Sequence, residues 1–181
     1  MKLRLVCASA AVAAACLAFA TEGAATEPER KRPALEVGSV PADALGKDIE
    51  GNPVLISDHH GKVVIVSFWA SWCGPCKKEL PVLAGVVKRV GPERLKVIAI
   101  NFRDEASSFK YVVDVLKDLP ITMVRDASGK AARKYKVEAI PRMIVIDRDG
   151  KVAADHTGYS ESALPQVVEQ LNELLRREKP T

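Results

Sequence analysis

A nearly continuous run of β-branched and aromatic residues, KVVIVSFW at residues 62–69, limits the folds that this chain can adopt. A half-exposed strand alternates between apolar and polar residues, whereas this run is apolar at almost every position. Such a strand has to be covered on both faces, which is typical of the centre of a parallel sheet. We therefore predict that residues 62–69 form the central strand.

Helical and strand patterns alternate after this strand. Apolar spacing and turn signals predict, in order, a helix at residues 73–90, a strand at 95–100, a helix at 105–116, a strand at 121–125 and a helix at 129–135. Pro81 lies inside the first of these helices and is expected to kink it. Strands that alternate with helices predict an α/β fold, with a central mixed sheet and helices on both faces.

The C-terminal part adds a hairpin and a last helix. Asp149-Gly150 suits a tight turn between strands at residues 142–147 and 151–156. An amphipathic stripe over residues 163–175 predicts a terminal helix, with Ser162 as its N-cap. We therefore expect the chain to end on the sheet with an antiparallel pair and a covering helix.

Residues 37–57 form a short unit before the central strand. Gly, Asn and Pro turn signals flank the apolar-containing stretches 48–50 and 54–56. This arrangement predicts a small β-hairpin. A total of 181 residues suits one domain, which we place at residues 37–178.

The first 20 residues have the pattern of a secretory signal peptide. Lys2 and Arg4 precede an apolar stretch, and Ala18-Phe19-Ala20 supplies a small-residue cleavage signal. Residues 21–36 are polar and contain two prolines, which predicts a flexible linker. We therefore expect an exported protein, in the periplasm or on the outer face of the cytoplasmic membrane.

Two alternatives to cleavage are a retained anchor and lipid attachment at Cys16. The apolar run over residues 5–20 has 16 residues, fewer than the about 20 that a membrane-spanning helix needs. Ala13 stands where bacterial lipoprotein signals usually carry Leu. Both alternatives are therefore disfavoured, and cleavage leaves Cys73 and Cys76 as the only thiols of the mature chain.

Charge and aromatic content exclude one class of partner. The formal net charge is +4, and removal of Lys2 and Arg4 lowers it to about +2 without exposing any long single-sign block. Aromatic residues make up 5% of the chain, too few for a base-stacking platform. We therefore expect no nucleic-acid partner.

The Cys-Gly-Pro-Cys motif lies where the central strand gives way to the first long helix. The free amides and dipole of the helix start favour the thiolate of Cys73, which makes it the predicted nucleophile. Cys76 returns one turn later, close enough to act as the resolving thiol. Gly74 permits a tight turn, and Pro75 presets the backbone at the helix start. The motif predicts a redox-active disulfide.

A structural disulfide and half of a zinc site are the alternatives. A zinc site needs further ligands, and the chain offers only His59, His60 and His156 and no second C-x-x-C. A purely structural bridge over so few residues would constrain the unfolded chain little. We therefore favour thiol-disulfide exchange, a reaction that needs neither a metal nor an organic cofactor.

The segment FWASWCGPCKKELP at residues 68–81 resembles the active site of thioredoxin-like proteins, and is most similar to the exported TlpA/ResA-like branch. The similarity extends over about residues 37–177, including the N-terminal hairpin unit and an inserted strand and helix. The resemblance implies a thioredoxin-like fold. It also implies that Pro141 is cis and faces the disulfide, and that the backbone of Ile140 pairs with a substrate chain.

Three residues depart from the family pattern or need a role. Ser67 lies six residues before Cys73, where many thioredoxins carry a buried Asp. Glu79 matches an acid of the TlpA/ResA-like motif and is our candidate for handling protons; the alternative is a solvated glutamate paired with a lysine. Arg142 follows Pro141, where relatives often have Thr or Ser, and is expected to place a charge beside the substrate groove.

The resemblance implies a reductase of protein disulfides in the cell envelope, for example in cytochrome c maturation. Trp72 is expected to form a partly exposed wall of the site, and Trp69 to lie in the core. Electrons would come from a membrane thiol carrier, and we expect a monomer. The alternatives are an exported oxidase or isomerase and a redox-inert binding module. A peroxidase is disfavoured because related peroxidases use a different cysteine motif.

Overall fold

The computed structural model describes residues 35–177. The predicted signal peptide and residues 21–34 of the predicted linker lie outside the described residues. Within them, no helix is both long and apolar enough to cross a membrane. The elements are β1 (Ala44–Lys47), β2 (Pro53–Leu55), β3 (Val63–Trp69), α1 (Gly74–Val90), β4 (Leu95–Phe102), α2 (Ala106–Leu116), β5 (Thr122–Asp126), α3 (Lys130–Lys134), β6 (Arg142–Ile146), β7 (Val152–Thr157) and α4 (Leu164–Arg176), with 3-10 turns at Ser57–His59 and Glu161–Ala163.

The main sheet has five strands in the order β5-β4-β3-β6-β7. Strand β3 pairs in parallel with β4 and antiparallel with β6, and β6 pairs antiparallel with β7. Every residue of β3 is buried, as its apolar sequence predicts. The expected central strand and mixed sheet are confirmed.

Both faces of β3 are covered because its side chains alternate between them. Val64, Val66 and Phe68 pack in the cluster that holds α3 and the N-terminal hairpin. Val63 and Ile65 pack in the cluster that holds α1 and α4. Each such side chain contributes roughly 1.5–3 kcal/mol by its burial. This packing holds β3 in place, and β3 in turn fixes the position of the cysteine motif that follows it.

The N-terminal hairpin forms, but its first strand is Ala44–Lys47 and not the predicted residues 48–50. The carboxylate of Asp48 accepts hydrogen bonds from the amides of Glu50 at 3.0 Å and Asn52 at 2.8 Å. This local pairing makes residues 48–52 the turn of the hairpin. The side chain of Asp48 therefore places the turn where a strand was expected.

The terminal helix also starts differently from the prediction. Ala163 is the N-cap of α4, and Ser162 lies in the preceding 3-10 turn. The hydroxyl of Ser162 is 2.6 Å from that of Ser160, and this contact replaces the predicted bond to a helix amide. The predicted N-cap is wrong, because the hydroxyl of Ser162 pairs with that of Ser160 and not with a helix amide.

Candidate active site

The two cysteines lie at the junction of β3 and α1. Cys73 is the N-cap of α1, and its amide donates to the carbonyl of Ala70 at 3.1 Å. Pro75 lies in the first turn of the helix, where its missing N–H costs no hydrogen bond. The sulfur of Cys73 therefore lies at the positive end of the helix dipole, which favours its thiolate.

Cys73 and Cys76 form a disulfide, with their Cα atoms 5.3 Å apart. The amide of Cys76 donates to Sγ of Cys73 at 3.2 Å. Cys73 is 6% exposed, whereas Cys76 is completely buried. Cys73 is therefore the more accessible of the two residues.

The surface around the disulfide combines an aromatic side chain with exposed backbone. Trp72 is 68% exposed, and Gly74 and Pro75 are also exposed. Trp69 is fully buried, with its ring 6.3 Å from that of Phe109, as its place in an apolar strand predicts. Trp72 is thus available to a partner, while Trp69 supports the site from below.

Glu79 lies on the inner face of α1, one turn after Cys76. It is 5% exposed, and its Oε1 accepts a 2.6 Å hydrogen bond from the hydroxyl of Ser67, a fully buried residue of β3. Burial raises the pKa of Glu79, and the hydrogen bond from Ser67 opposes part of that rise. The alternative of a solvated glutamate paired with a lysine is wrong.

Glu79 also faces open space. It lines a cavity of about 400 Å³ whose other walls include Met143 of β6, His156 of β7 and Leu164 of α4. Water in such a cavity can exchange protons with a carboxyl group on its wall. Glu79 therefore has both a raised pKa and a place to deliver a proton.

The peptide bond between Ile140 and Pro141 is cis, as the resemblance implied. Pro141 is buried, and its carbonyl accepts from the amide of Gly158 at 2.7 Å. Ile140 is half-buried and packs against the cluster that contains Cys73 and Cys76. The chain segment that ends at Pro141 thus reaches the surroundings of the disulfide.

Arg142 does not place a free charge beside the groove, contrary to expectation. It is 2% exposed, and its guanidinium forms a two-pronged ion pair with the carboxylate of Asp155. The pairing register of β6 and β7 brings these side chains together. Burial of an arginine needs such a partner, and Asp155 supplies it.

Asp104 belongs to the site but was not singled out in the sequence. Its Oδ2 accepts hydrogen bonds from the amide of Ser71 at 2.6 Å and from the side chain of Asn101 at 2.8 Å. Asp104 is buried and follows the end of β4, next to β3 in the sheet. An acidic residue just after a buried strand was the available signal. Asp104 fixes the loop that leads into Cys73.

Metal-ligating side chains are dispersed in this part of the chain. Residues 35–177 contain no group of three or more His, Cys, Asp or Glu side chains placed to hold a metal ion. His156 lies on β7, with Nε2 2.9 Å from Oε1 of Gln170.

Comparisons with known proteins place this geometry in context. The profile of the AhpC/TSA family matches residues 37–155. The thiol-disulfide oxidoreductase ResA of Bacillus cereus is 29% identical over 150 residues, which cover 83% of each chain. The sporulation thiol-disulfide oxidoreductase A of Bacillus subtilis is 31% identical over 151 residues, which cover 82% of this chain and 84% of the relative.

Solved structures give the same result. A putative thiol:disulfide interchange protein DsbE from Chlorobium tepidum is 30% identical and superposes with a TM-score of 0.69, covering 78% of this chain and 99% of its own. StoA from Bacillus subtilis is 29% identical, with a TM-score of 0.57 over 72% of this chain and 97% of its own. These similarities extend well beyond the cysteine motif, since the family match alone spans residues 37–155.

Proposed function

This chain belongs to the AhpC/TSA family as a thioredoxin-like thiol-disulfide oxidoreductase, and we propose that it reduces disulfides of proteins in the cell envelope. The observation that carries the proposal is the asymmetry of the cysteine pair: Cys73 is 6% exposed and caps the start of α1, whereas Cys76 is completely buried. This arrangement suits attack on a partner by one thiol and release of the partner by the other.

The reaction proceeds in two exchanges from the dithiol form. The thiolate of Cys73 attacks one sulfur of a substrate disulfide, forms a mixed disulfide and releases the other substrate sulfur as a thiolate, which takes up a proton. The thiolate of Cys76 then attacks Sγ of Cys73 and releases the second substrate thiolate. The substrate gains two electrons and two protons, and the Cys73–Cys76 disulfide forms.

Glu79 serves the second exchange by accepting the proton of Cys76. Both side chains are buried on the same face of α1, one turn apart. Because burial raises the pKa of Glu79, this carboxyl group can exchange protons nearer neutral pH than an exposed glutamate. Ser67 holds the carboxyl group in place through its hydroxyl. We therefore assign Glu79 as the catalytic acid and base.

The substrate chain lies across the exposed side of the disulfide. Trp72, Gly74 and Pro75 form one part of this surface, since all three are exposed. Ile140 and Pro141 form the other part, and the backbone of Ile140 pairs with the substrate as an added strand. These five residues make up the proposed substrate-binding surface.

The signal-like sequence of residues 1–20 supports export. The Gly-Pro pair between the cysteines resembles that of reducing thioredoxins and supports net reduction of substrates. Electrons come from a thiol carrier in the membrane, and the substrates include proteins such as apocytochrome c. The protein works as a monomer. An exported oxidase or isomerase with the same site is the second candidate, and it differs in redox potential.

Three measurements test the proposal. Equilibration with glutathione is expected to give a potential nearer the about −270 mV of thioredoxin than the roughly −120 mV of a strong oxidase. The reduced protein is expected to reduce insulin, whereas Cys73→Ser should not. Cys76→Ser should accumulate mixed disulfides with envelope proteins, which can be identified.

The outcomes separate the alternatives. A potential at the oxidising end moves the protein to the oxidase or isomerase class. Failure to reduce insulin, together with no trapped partners, indicates a redox-inert binding module. Rapid consumption of hydrogen peroxide that depends on Cys73 indicates a peroxidase.

A further inference from the structure

The buried side chain of Arg142 makes more contacts than an ion pair requires. Its Nε lies 2.9 Å from Oδ1 of Asp155, and its Nη2 lies 2.6 Å from Oδ2. The remaining nitrogen, Nη1, donates to the carbonyl of Lys136. One guanidinium thus connects β6, β7 and the chain that follows α3.

Lys136 begins the segment of residues 136–141, which ends at Pro141. Its φ of 53° lies in the left-handed region, which residues other than glycine seldom adopt. Its amide donates to the carbonyl of Arg133 at 3.1 Å, and its own carbonyl is held by Arg142. The hydrogen bond from Arg142 therefore supports an unfavourable backbone conformation at the start of the segment.

The other end of the segment is held by the same pair of strands. Arg142 lies opposite Thr157 in the β6–β7 register, and the carbonyl of Pro141 accepts from Gly158. Asp155 is fixed in turn, because its Oδ2 also accepts from the amide of Leu35 at 2.8 Å. The Arg142–Asp155 pair therefore holds the start of residues 136–141, and the backbone hydrogen bond from Gly158 holds their end.

We propose that Arg142 and Asp155 are positioning residues that hold residues 136–141 in place beside the disulfide, so that reaction with protein disulfides depends on them and reaction with small disulfides does not. A protein substrate has to pair with the backbone of Ile140, whereas a small disulfide needs only the sulfur of Cys73. This inference rests on the proposed function.

The chemistry of the two residues favours positioning over stabilisation. A buried ion pair is weak evidence for stability, because desolvation offsets much of the attraction between the charges. The planar guanidinium, in contrast, fixes three acceptor atoms at once, and a lysine cannot reproduce that geometry. The pair therefore specifies where the segment lies.

Arg142→Lys tests this role while keeping the charge. We expect its KM for insulin to rise about tenfold with little change in kcat. Its rate with the small disulfide 5,5′-dithiobis(2-nitrobenzoate) should stay within about twofold of the wild type. Arg148→Lys is the matched control, since Arg148 is also buried and donates to backbone carbonyls, those of Gly61 and Leu175. Arg148→Lys should change neither the KM for insulin nor the rate with the small disulfide.

A second variant removes both charges, in case Arg142→Lys leaves Asp155 unpaired and does not fold. Arg142→Thr combined with Asp155→Thr leaves no buried charge at these two positions, and threonine suits paired strands. Hydrogen exchange gives an independent measure: the amides of Lys136 and Val137 should exchange faster in either variant, while those of α1 keep the wild-type rate. Equal losses with insulin and the small disulfide, or an unchanged KM in a folded variant, overturn the inference.

Failure of the proposed function gives a different result. If the wild-type protein does not reduce insulin and Cys76→Ser traps no partners, the proposed function is wrong, and the exchange rates of Lys136 and Val137 then decide the positioning role alone. Faster exchange confined to residues 136–141 supports that role. Unchanged exchange in the variants contradicts it.

Discussion

The hydroxyl of Ser67 in β3 donates a 2.6 Å hydrogen bond to the carboxyl group of Glu79 in α1, and both side chains are buried. The bond joins the central strand to the helix that carries the cysteines. It also brings a carboxyl group next to residue 67, which carries none itself. We therefore expect Glu79 to take, from the helix side, the role of the acid that many thioredoxins supply from the strand.

Replacement of Glu79 by Gln is expected to lower the apparent pKa of Cys73, because a nearby carboxylate raises thiol pKa values by repulsion between like charges. The variant should also resolve mixed disulfides more slowly, since Cys76 loses its proton acceptor. Thiolate absorbance against pH and stopped-flow resolution rates measure both effects. Glu173→Gln, at an exposed position of α4, is the control. If neither the pKa of Cys73 nor the resolution rate changes, Glu79 has no part in the mechanism.

Glu79 should also make stability depend on pH. Burial raises its pKa in the folded chain, so the folded state binds this proton more tightly than the unfolded state does. The free energy of unfolding therefore falls as pH rises from the ordinary glutamate range through the raised pKa, by about 1.4 kcal/mol for each unit of elevation. Urea unfolding of the oxidised protein and of Glu79→Gln measures the difference. A difference that is constant with pH contradicts the assignment.

The two thiols should react with alkylating agents at very different rates. In the reduced protein we expect Cys73 to be modified rapidly near neutral pH, because it caps α1 and is the more exposed of the two cysteines. Cys76 is fully buried and should react far more slowly. Iodoacetamide labelling of the variants Cys73→Ser and Cys76→Ser gives the two rates separately. Comparable rates would mean that the order of attack is wrong.

Removal of the Asp104 carboxylate should loosen the loop before Cys73. Asp104→Ala leaves the amide of Ser71 and the side chain of Asn101 without their acceptor. We expect a loss of about 1–3 kcal/mol in the free energy of unfolding, the cost of unpaired buried groups. Urea unfolding checks this value, with Asp114→Ala on the exposed face of α2 as the control. A loss no larger than that of the control would show that the loop does not need Asp104.

The strands of the main sheet could be predicted because buried strands consist of consecutive apolar residues. The predicted run at residues 62–69 becomes β3 at Val63–Trp69, and the run at 95–100 becomes β4 at Leu95–Phe102. Errors arise where one polar side chain decides the local backbone. Asp48 accepts hydrogen bonds from the backbone of its own turn, and the hydroxyl of Ser162 pairs with that of Ser160. The periodicity of the sequence predicts neither interaction.

The site was predictable in its chemistry and less so in its contacts. The cysteine order follows from a local motif, and Glu79 follows from the resemblance. The burial of Arg142 depends on Asp155, which lies 13 positions later and becomes its neighbour only through the β6–β7 register. Asp104 depends in the same way on Ser71, which lies 33 positions earlier and follows the neighbouring strand β3. Contacts between distant residues decide whether a charge is free or paired.

The burial of Cys76 restricts the kinetics of the enzyme. Since Cys76 is completely buried and Cys73 is the more exposed of the two, the electron donor and the substrate of the proposed cycle have to approach the same sulfur, that of Cys73. The donor reacts with the disulfide form of the enzyme and the substrate with the dithiol form, so their reactions alternate in a ping-pong cycle. An excess of oxidised substrate cannot speed the cycle once reduced enzyme is exhausted. Turnover then becomes a measure of the donor supply.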